Sequence, residues 1–170
     1  MNHPFVLQIV GYKNRGKTTL VCKLLEQLKT QGYRVGSIKH DAHQFEMDKP
    51  GKDTWKHREA GAETVAITSS TQTAIIIERP SSVQELLEKM GHLDFVLVEG
   101  FKNGPYPKIT ILKEKADKEM LQELTNVIGV ASWIPIDIEA EEPKVFPIDD
   151  IEGILNVIQN EVKAVKNFKG

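Results

Sequence analysis

Residues Gly11 to Thr18 read GYKNRGKT: a glycine, four variable residues, a second glycine, a lysine and a hydroxyl residue. That order is the phosphate-binding pattern G-x-x-x-x-G-K-[ST]. Gly11 and Gly16 let the backbone curl until successive amides point inward at phosphate oxygens, with the positive end of the following helix behind them. Lys17 adds a mobile point charge for the β and γ phosphates, which gives it a catalytic role in phosphoryl transfer. Thr18 sets a hydroxyl where magnesium, an ion that prefers oxygen ligands, travels with a nucleotide.

Such a loop needs a carboxylate on the metal side at the end of a neighbouring strand, and the run Leu93 to Val98 followed by Glu99 and Gly100 has that form. Glu99 is therefore the metal-side acid. Between these blocks lies KHDAHQFEMDKPGKD, Lys39 to Asp53, which follows a strand and so falls at the carboxyl edge of the sheet. Asp41 is placed to hold a magnesium-bound water or to orient the attacking water, and Lys39, His40, Lys49 and Lys52 are placed to pair with phosphate oxygens. His40, His43, Glu46, Asp48 and His57 do not make a zinc or iron cage by spacing, because prolines and a glycine interrupt the segment. Cys22, inside an apolar helical stretch, reads as a small buried hydrophobe. Trp55 and Trp133 read as packing residues, with stacking on a base as the alternative.

The elements that position these groups follow from periodicity. Phe5 to Val10 is a short run rich in branched residues, closed by Gly11, as in a strand buried on both faces. Leu20, Val21, Leu24, Leu25 and Leu28 recur at helical spacing from Thr18 to Gln31, with Gly32 as the stop. Further strands are expected at Tyr33–Lys39, Thr64–Thr68, Thr73–Glu78, Leu93–Val98, Lys108–Leu112 and Val127–Ala131. Helical stretches are expected at Asp53–Ala60, after Pro80 and from Asp149 to about Asn167, and an amphipathic segment at Ala116–Leu124. Pro135 to Pro147, with its prolines and acidic residues, reads as an irregular surface excursion. The alternation points to an α/β protein: a three-layer P-loop NTPase fold with a mostly parallel sheet flanked by helices.

The chain has 170 residues, of which 40% are apolar and 27% charged, so one domain spanning 1–170 is expected and disorder and coiled-coil rods are disfavoured. A net charge of -2 supplies no global field toward nucleic acid or anionic lipid, and neither is expected as a partner. The single cysteine fits a reducing cytosol, and no apolar stretch is long enough for a signal core or a membrane span. A cytoplasmic location is the expectation.

Three blocks in order, GYKNRGKTTL at 11–20, IKHDAHQFEMDKPGKDTW at 38–55 with AGA at 60–62, and LVEGFK at 97–102, resemble the MobB family of molybdopterin-guanine dinucleotide biosynthesis adaptor proteins. The resemblance implies a homodimeric GTP-binding protein with weak GTPase activity. It also implies a role as adaptor to the guanylyltransferase that joins GMP to molybdopterin. By resemblance Gly11, Tyr12, Lys13, Asn14, Arg15, Gly16, Lys17, Thr18 and Thr19 hold phosphates, and Thr18 and Glu99 hold magnesium. Asp41 then stands near the metal or the water, and Lys49, Lys52 and Asp53 face the site. The Glu99–Gly100 pair is similar to one in dethiobiotin synthetase, a fold relative. No N-K-x-D segment is present, so the choice of GTP over ATP comes from the resemblance alone. Two other readings stay open: a small-molecule kinase, and a module that senses nucleotide without hydrolysing it.

Overall fold

The computed structural model describes residues 3–41, 45–138 and 143–168, with side chains of the last helix described to Val165. In chain order the elements are β1 (Phe5–Val10), α1 (Lys17–Thr30), β2 (Val35–Lys39), α2 (Asp53–Glu59), β3 (Thr64–Thr68), β4 (Thr73–Ile77) and α3 (Val83–Lys89). There follow β5 (Phe95–Glu99), β6 (Lys108–Leu112), a 3-10 turn (Lys115–Lys118), α4 (Glu119–Glu123), β7 (Val127–Ser132), β8 (Lys144–Pro147) and α5 (Ile151–Phe168).

Six strands form one sheet in the order β2-β5-β1-β6-β7-β8, and every pairing in it is parallel. The α/β expectation holds. Strand β1 is central, and its register sets Phe5 against Phe95 and Ile9 against Glu99. Alternate residues Leu7, Ile9, Phe95, Leu97, Ile109 and Ile111 share a core with Leu20, Leu24 and Leu28 of α1 and with Ile154 and Ile158 of α5. Val6, Val10, Val96 and Val98 are buried as well, so the central strands are covered on both faces, which is why they read as unbroken apolar runs.

The chain's contacts cluster into two compact units, Met1–His40 with Leu87–Gly170, and Asp41–Leu86. The sequence reading takes 1–170 as a single domain. Within the second unit, β3 and β4 form an antiparallel pair with Thr64 opposite Ile77 and Thr68 opposite Thr73. Asp48 there accepts from the Lys49 amide at 3.0 Å and the Thr54 hydroxyl at 3.0 Å, and Arg58 pairs with Asp48 at 3.7 Å and with Glu78.

Two local expectations are corrected. Pro135–Pro147 is not irregular to its end, because Lys144–Pro147 adds β8 to the edge of the sheet beside β7. Cys22 is exposed, not buried: the buried stripe of α1 is Leu20, Val21, Leu24 and Leu28, and position 22 turns about 100° away from Val21. His43 lies outside the described residues. Among the described residues no helix is long and apolar enough to cross a membrane.

Candidate functional site

Strand β1 ends at Val10 and α1 begins at Lys17, so Gly11 to Gly16 bridge the carboxyl edge of the central strand and the start of a helix. Gly16 stands just before α1 with φ 97°, in the left-handed region that favours glycine. A Cβ there would come within 3.2 Å of the Trp133 ring. No side chain caps α1, which leaves its first amides directed into the loop. The Lys17 ammonium folds back over this loop, donating to the carbonyls of Gly11 at 3.0 Å and Tyr12 at 2.8 Å. Burial lowers its pKa, with the Glu99 charge opposing the shift and Lys39 adding to it.

Thr18 and Glu99, far apart in sequence, meet. The Thr18 hydroxyl donates to Glu99 Oε1 at 2.8 Å, because the second residue of α1 overlooks the last residue of β5. Glu99 is 8% exposed. Lys39, opposite Glu99 in the β2–β5 register, places its Nζ 3.3 Å from the same oxygen and 3.5 Å from Thr18 Oγ1. A hydroxyl and a carboxylate this close form a hard-oxygen pair that suits magnesium, an ion that otherwise keeps several waters. The donor set therefore fits the metal that such a loop implies.

The loop behind Glu99 is held from beneath by buried polar side chains. Gln8 of β1 donates to the Phe101 carbonyl at 2.5 Å and to that of Gly100 at 3.4 Å. Lys108, the first residue of β6, has no exposed surface and donates to the carbonyls of Gly104 at 2.5 Å and Tyr106 at 3.0 Å. Its burial lowers its pKa. The His40 ring packs on Phe101 with centroids 4.4 Å apart.

On the opposite flank Arg15 is anchored at both ends. Its guanidinium donates from Nη2 to Asp117 Oδ1 at 3.1 Å, sets Nε 3.0 Å from Oδ2 and also pairs with Glu114, while its carbonyl accepts from Trp133 Nε1 at 2.8 Å. Asp117 is 2% exposed and accepts from the amides of Lys113 at 2.7 Å and Glu114 at 3.2 Å. Burial alone would raise its pKa, but those amides and Arg15 hold it below the usual carboxylate value. The Arg15 side chain is thus committed to carboxylates.

Of the residues singled out in the sequence, the structure assembles Gly11 to Thr18 with Lys39 and Glu99. Asp41, Lys49, Lys52 and Asp53 fall in the second unit. There the Lys52 amide donates to the Lys49 carbonyl at 3.2 Å, Lys52 precedes α2, and Asp53 opens it with Lys56 3.4 Å away. Gln8, Lys108, Asp117 and the anchoring of Trp133 escape sequence reading. The available signal is a polar residue interrupting an apolar strand, as Gln8 interrupts β1.

Comparison with known proteins identifies the family. The family model described as Molybdopterin guanine dinucleotide synthesis protein B matches residues 6–133, which include the phosphate loop, Glu99 and Trp133. A molybdopterin-guanine dinucleotide biosynthesis adapter protein of Haemophilus influenzae is 36% identical over 91% of this chain and 88% of its own length. A probable adapter protein of the same description from Bacillus subtilis is 39% identical, covering 75% of this chain and 76% of its own. The crystal structure of a MobB homologue from Bacillus stearothermophilus superposes with a TM-score of 0.72 at 30% identity, covering 94% of this chain and 98% of that one. A match spanning both the Gly11–Thr18 loop and Glu99, with relatives similar over most of their length, leads to one conclusion: this chain belongs to the MobB family.

Proposed function

We propose that the chain is a magnesium-dependent GTP-binding adapter with slow GTPase activity that serves the making of molybdopterin guanine dinucleotide. One observation carries the reading: a G-x-x-x-x-G-K-[ST] loop whose Thr18 hydroxyl lies 2.8 Å from the Glu99 carboxylate. The loop amides and Lys17 hold the phosphates, and Thr18 and Glu99 hold magnesium, which when bound neutralises charge between the β and γ phosphates. Asp41, two residues beyond Lys39 in the chain, orients the attacking water in this reading. Val98 and Gly100 flank Glu99, with no glutamine beside it to position water, and slow turnover is the expected consequence. The adapter names of the relatives support a protein partner, which we assign to the enzyme that joins GMP to molybdopterin. The working form in this reading is a cytoplasmic homodimer.

Calorimetric titration of GTP and of ATP, each with magnesium, into the wild type and Lys17→Ala tests the proposal. GTP should bind more tightly than ATP, and the substitution should weaken GTP by about 10- to 100-fold through loss of a charged hydrogen-bond donor. Equal or tighter ATP binding would remove the guanine reading and favour a small-molecule kinase. Single-turnover hydrolysis left unchanged by Asp41→Asn would favour a module that only senses nucleotide.

A further inference from the structure

Strands β6 and β7 end side by side, with Leu112 opposite Ser132, and the next residue of each, Lys113 and Trp133, stands at the carboxyl edge of the sheet. The Trp133 amide continues the pairing by donating to the Leu112 carbonyl at 2.9 Å. Its indole N–H donates to the Arg15 carbonyl at 2.8 Å, and a Cβ on Gly16 would lie 3.2 to 3.7 Å from three of its ring atoms. The ring is therefore fixed beside the phosphate loop at its backbone and at its tip. It is nevertheless half exposed, at 50%. An indole with a satisfied N–H and a large apolar body left in water is a stacking surface. The Lys113 ammonium lies over the ring, 5.8 Å from its centroid, on a flexible stem that can swing aside to the edge of a stacked base.

We propose that Trp133 and Lys113 form a nucleobase subsite, in which a purine stacks on the indole and the ammonium reaches acceptors on the purine edge. The inference rests on the reading of Gly11–Thr18 as a phosphate site, since one nucleotide spans both. It also names a source of base selectivity in a chain without an N-K-x-D segment. Guanine presents two neighbouring acceptors, O6 and N7, where adenine sets an amino donor beside N7. An ammonium carries three donors and no acceptor, so Lys113 favours guanine. Because Trp133 is bonded to the carbonyl of a loop residue, base and phosphate are held by one connected piece of structure.

The test separates base from phosphate. Inorganic triphosphate, GTP and ATP, each with magnesium, are titrated into the wild type, Trp133→Ala, Trp133→Phe and Lys113→Met. Relative to triphosphate, Trp133→Ala should weaken GTP about 5- to 150-fold, the range for loss of one base-stacking aromatic. Trp133→Phe should retain most of the GTP affinity, and Lys113→Met should narrow the ratio of GTP to ATP affinity. In the Trp55→Phe protein, where Trp133 is the remaining tryptophan, GTP but not triphosphate should quench fluorescence. Equal loss of GTP and triphosphate in Trp133→Ala, or GTP that leaves the Trp133 fluorescence unmoved, would overturn the subsite. Wild type that binds triphosphate as tightly as GTP would overturn it too, while leaving the phosphate loop standing. Binding of neither would overturn the phosphate reading itself.

Discussion

Glu99 accepts from Thr18 and pairs with Lys39, so a single carboxylate serves a hydroxyl and an ammonium at once. Glu99→Gln keeps the shape and an acceptor but removes the charge. Under the magnesium-binding role, GTP titrated into this variant should bind with the same affinity whether or not magnesium is present, whereas wild-type affinity should rise with the metal. Asp117 is the second informative residue. Its folded-state pKa lies below the ordinary carboxylate value, so the folded chain binds fewer protons than the unfolded one across that interval. Its contribution is therefore complete above the ordinary value, about pH 4, and is lost as pH falls through the lowered one. Asp117→Asn should be less stable than wild type at neutral pH, by about 1 to 3 kcal/mol for a charged hydrogen-bond partner, and the two urea-unfolding curves should converge in acid. Parallel curves at every pH would refute the assignment.

At the scale of elements, α5 holds one face of the sheet with Ile154 and Ile158, neither of which has exposed surface. Ile154→Ala should cost about 2 to 5 kcal/mol in chemical denaturation, as a buried truncation that leaves a cavity. Such helices and the central strands were legible in the sequence because their burial is written in their own periodicity. The phosphate loop and Glu99 were legible for a related reason: each is a local pattern at a strand end. Other features depend on distant partners. Strand β8 is four residues ending in proline and exists by pairing with β7. Strand β2 begins at Val35, not Tyr33, because Arg34 ties its amide and guanidinium to Asp94 and Tyr33 turns its ring onto Phe95, centroids 4.9 Å apart. The amphipathic segment Ala116–Leu124 divides into a 3-10 turn and a short α4, since Asp117 spends its carboxylate on the amides of Lys113 and Glu114. Nothing near Trp133 in sequence announces that its indole bonds the Arg15 carbonyl, across 118 positions.

At the scale of the whole molecule, the two compact units give the proposed nucleotide binding a spatial readout. A ligand that binds only the folded state at 100 times its Kd stabilises that state by about 2.7 kcal/mol, so magnesium and GTP should raise the unfolding midpoint together. Hydrogen exchange then shows where. Amides of Gly11 to Thr19 should slow on adding the nucleotide, and slowing at Lys49 to Asp53 reports separately on the roles proposed for Lys49, Lys52 and Asp53. The small net charge of -2 predicts that these effects change little with moderate salt, apart from the local phosphate contacts.

The polar pair beneath the loop that follows Glu99 ties the sheet to the site. Gln8 and Lys108 sit inside the sheet with almost no exposed surface, where apolar side chains of similar volume avoid the desolvation of an amide and an ammonium. Replacing both with leucine and methionine would spare that desolvation but leave the backbone carbonyls they serve without donors, at a net cost to the sheet. The carbonyls of Phe101, Gly104 and Tyr106 would then lose their anchors, and the segment that aims Glu99 would wander. Heat tolerance and, under the proposed magnesium role, metal affinity should therefore fall together in that variant, so one melting curve and one magnesium titration report on the same two side chains.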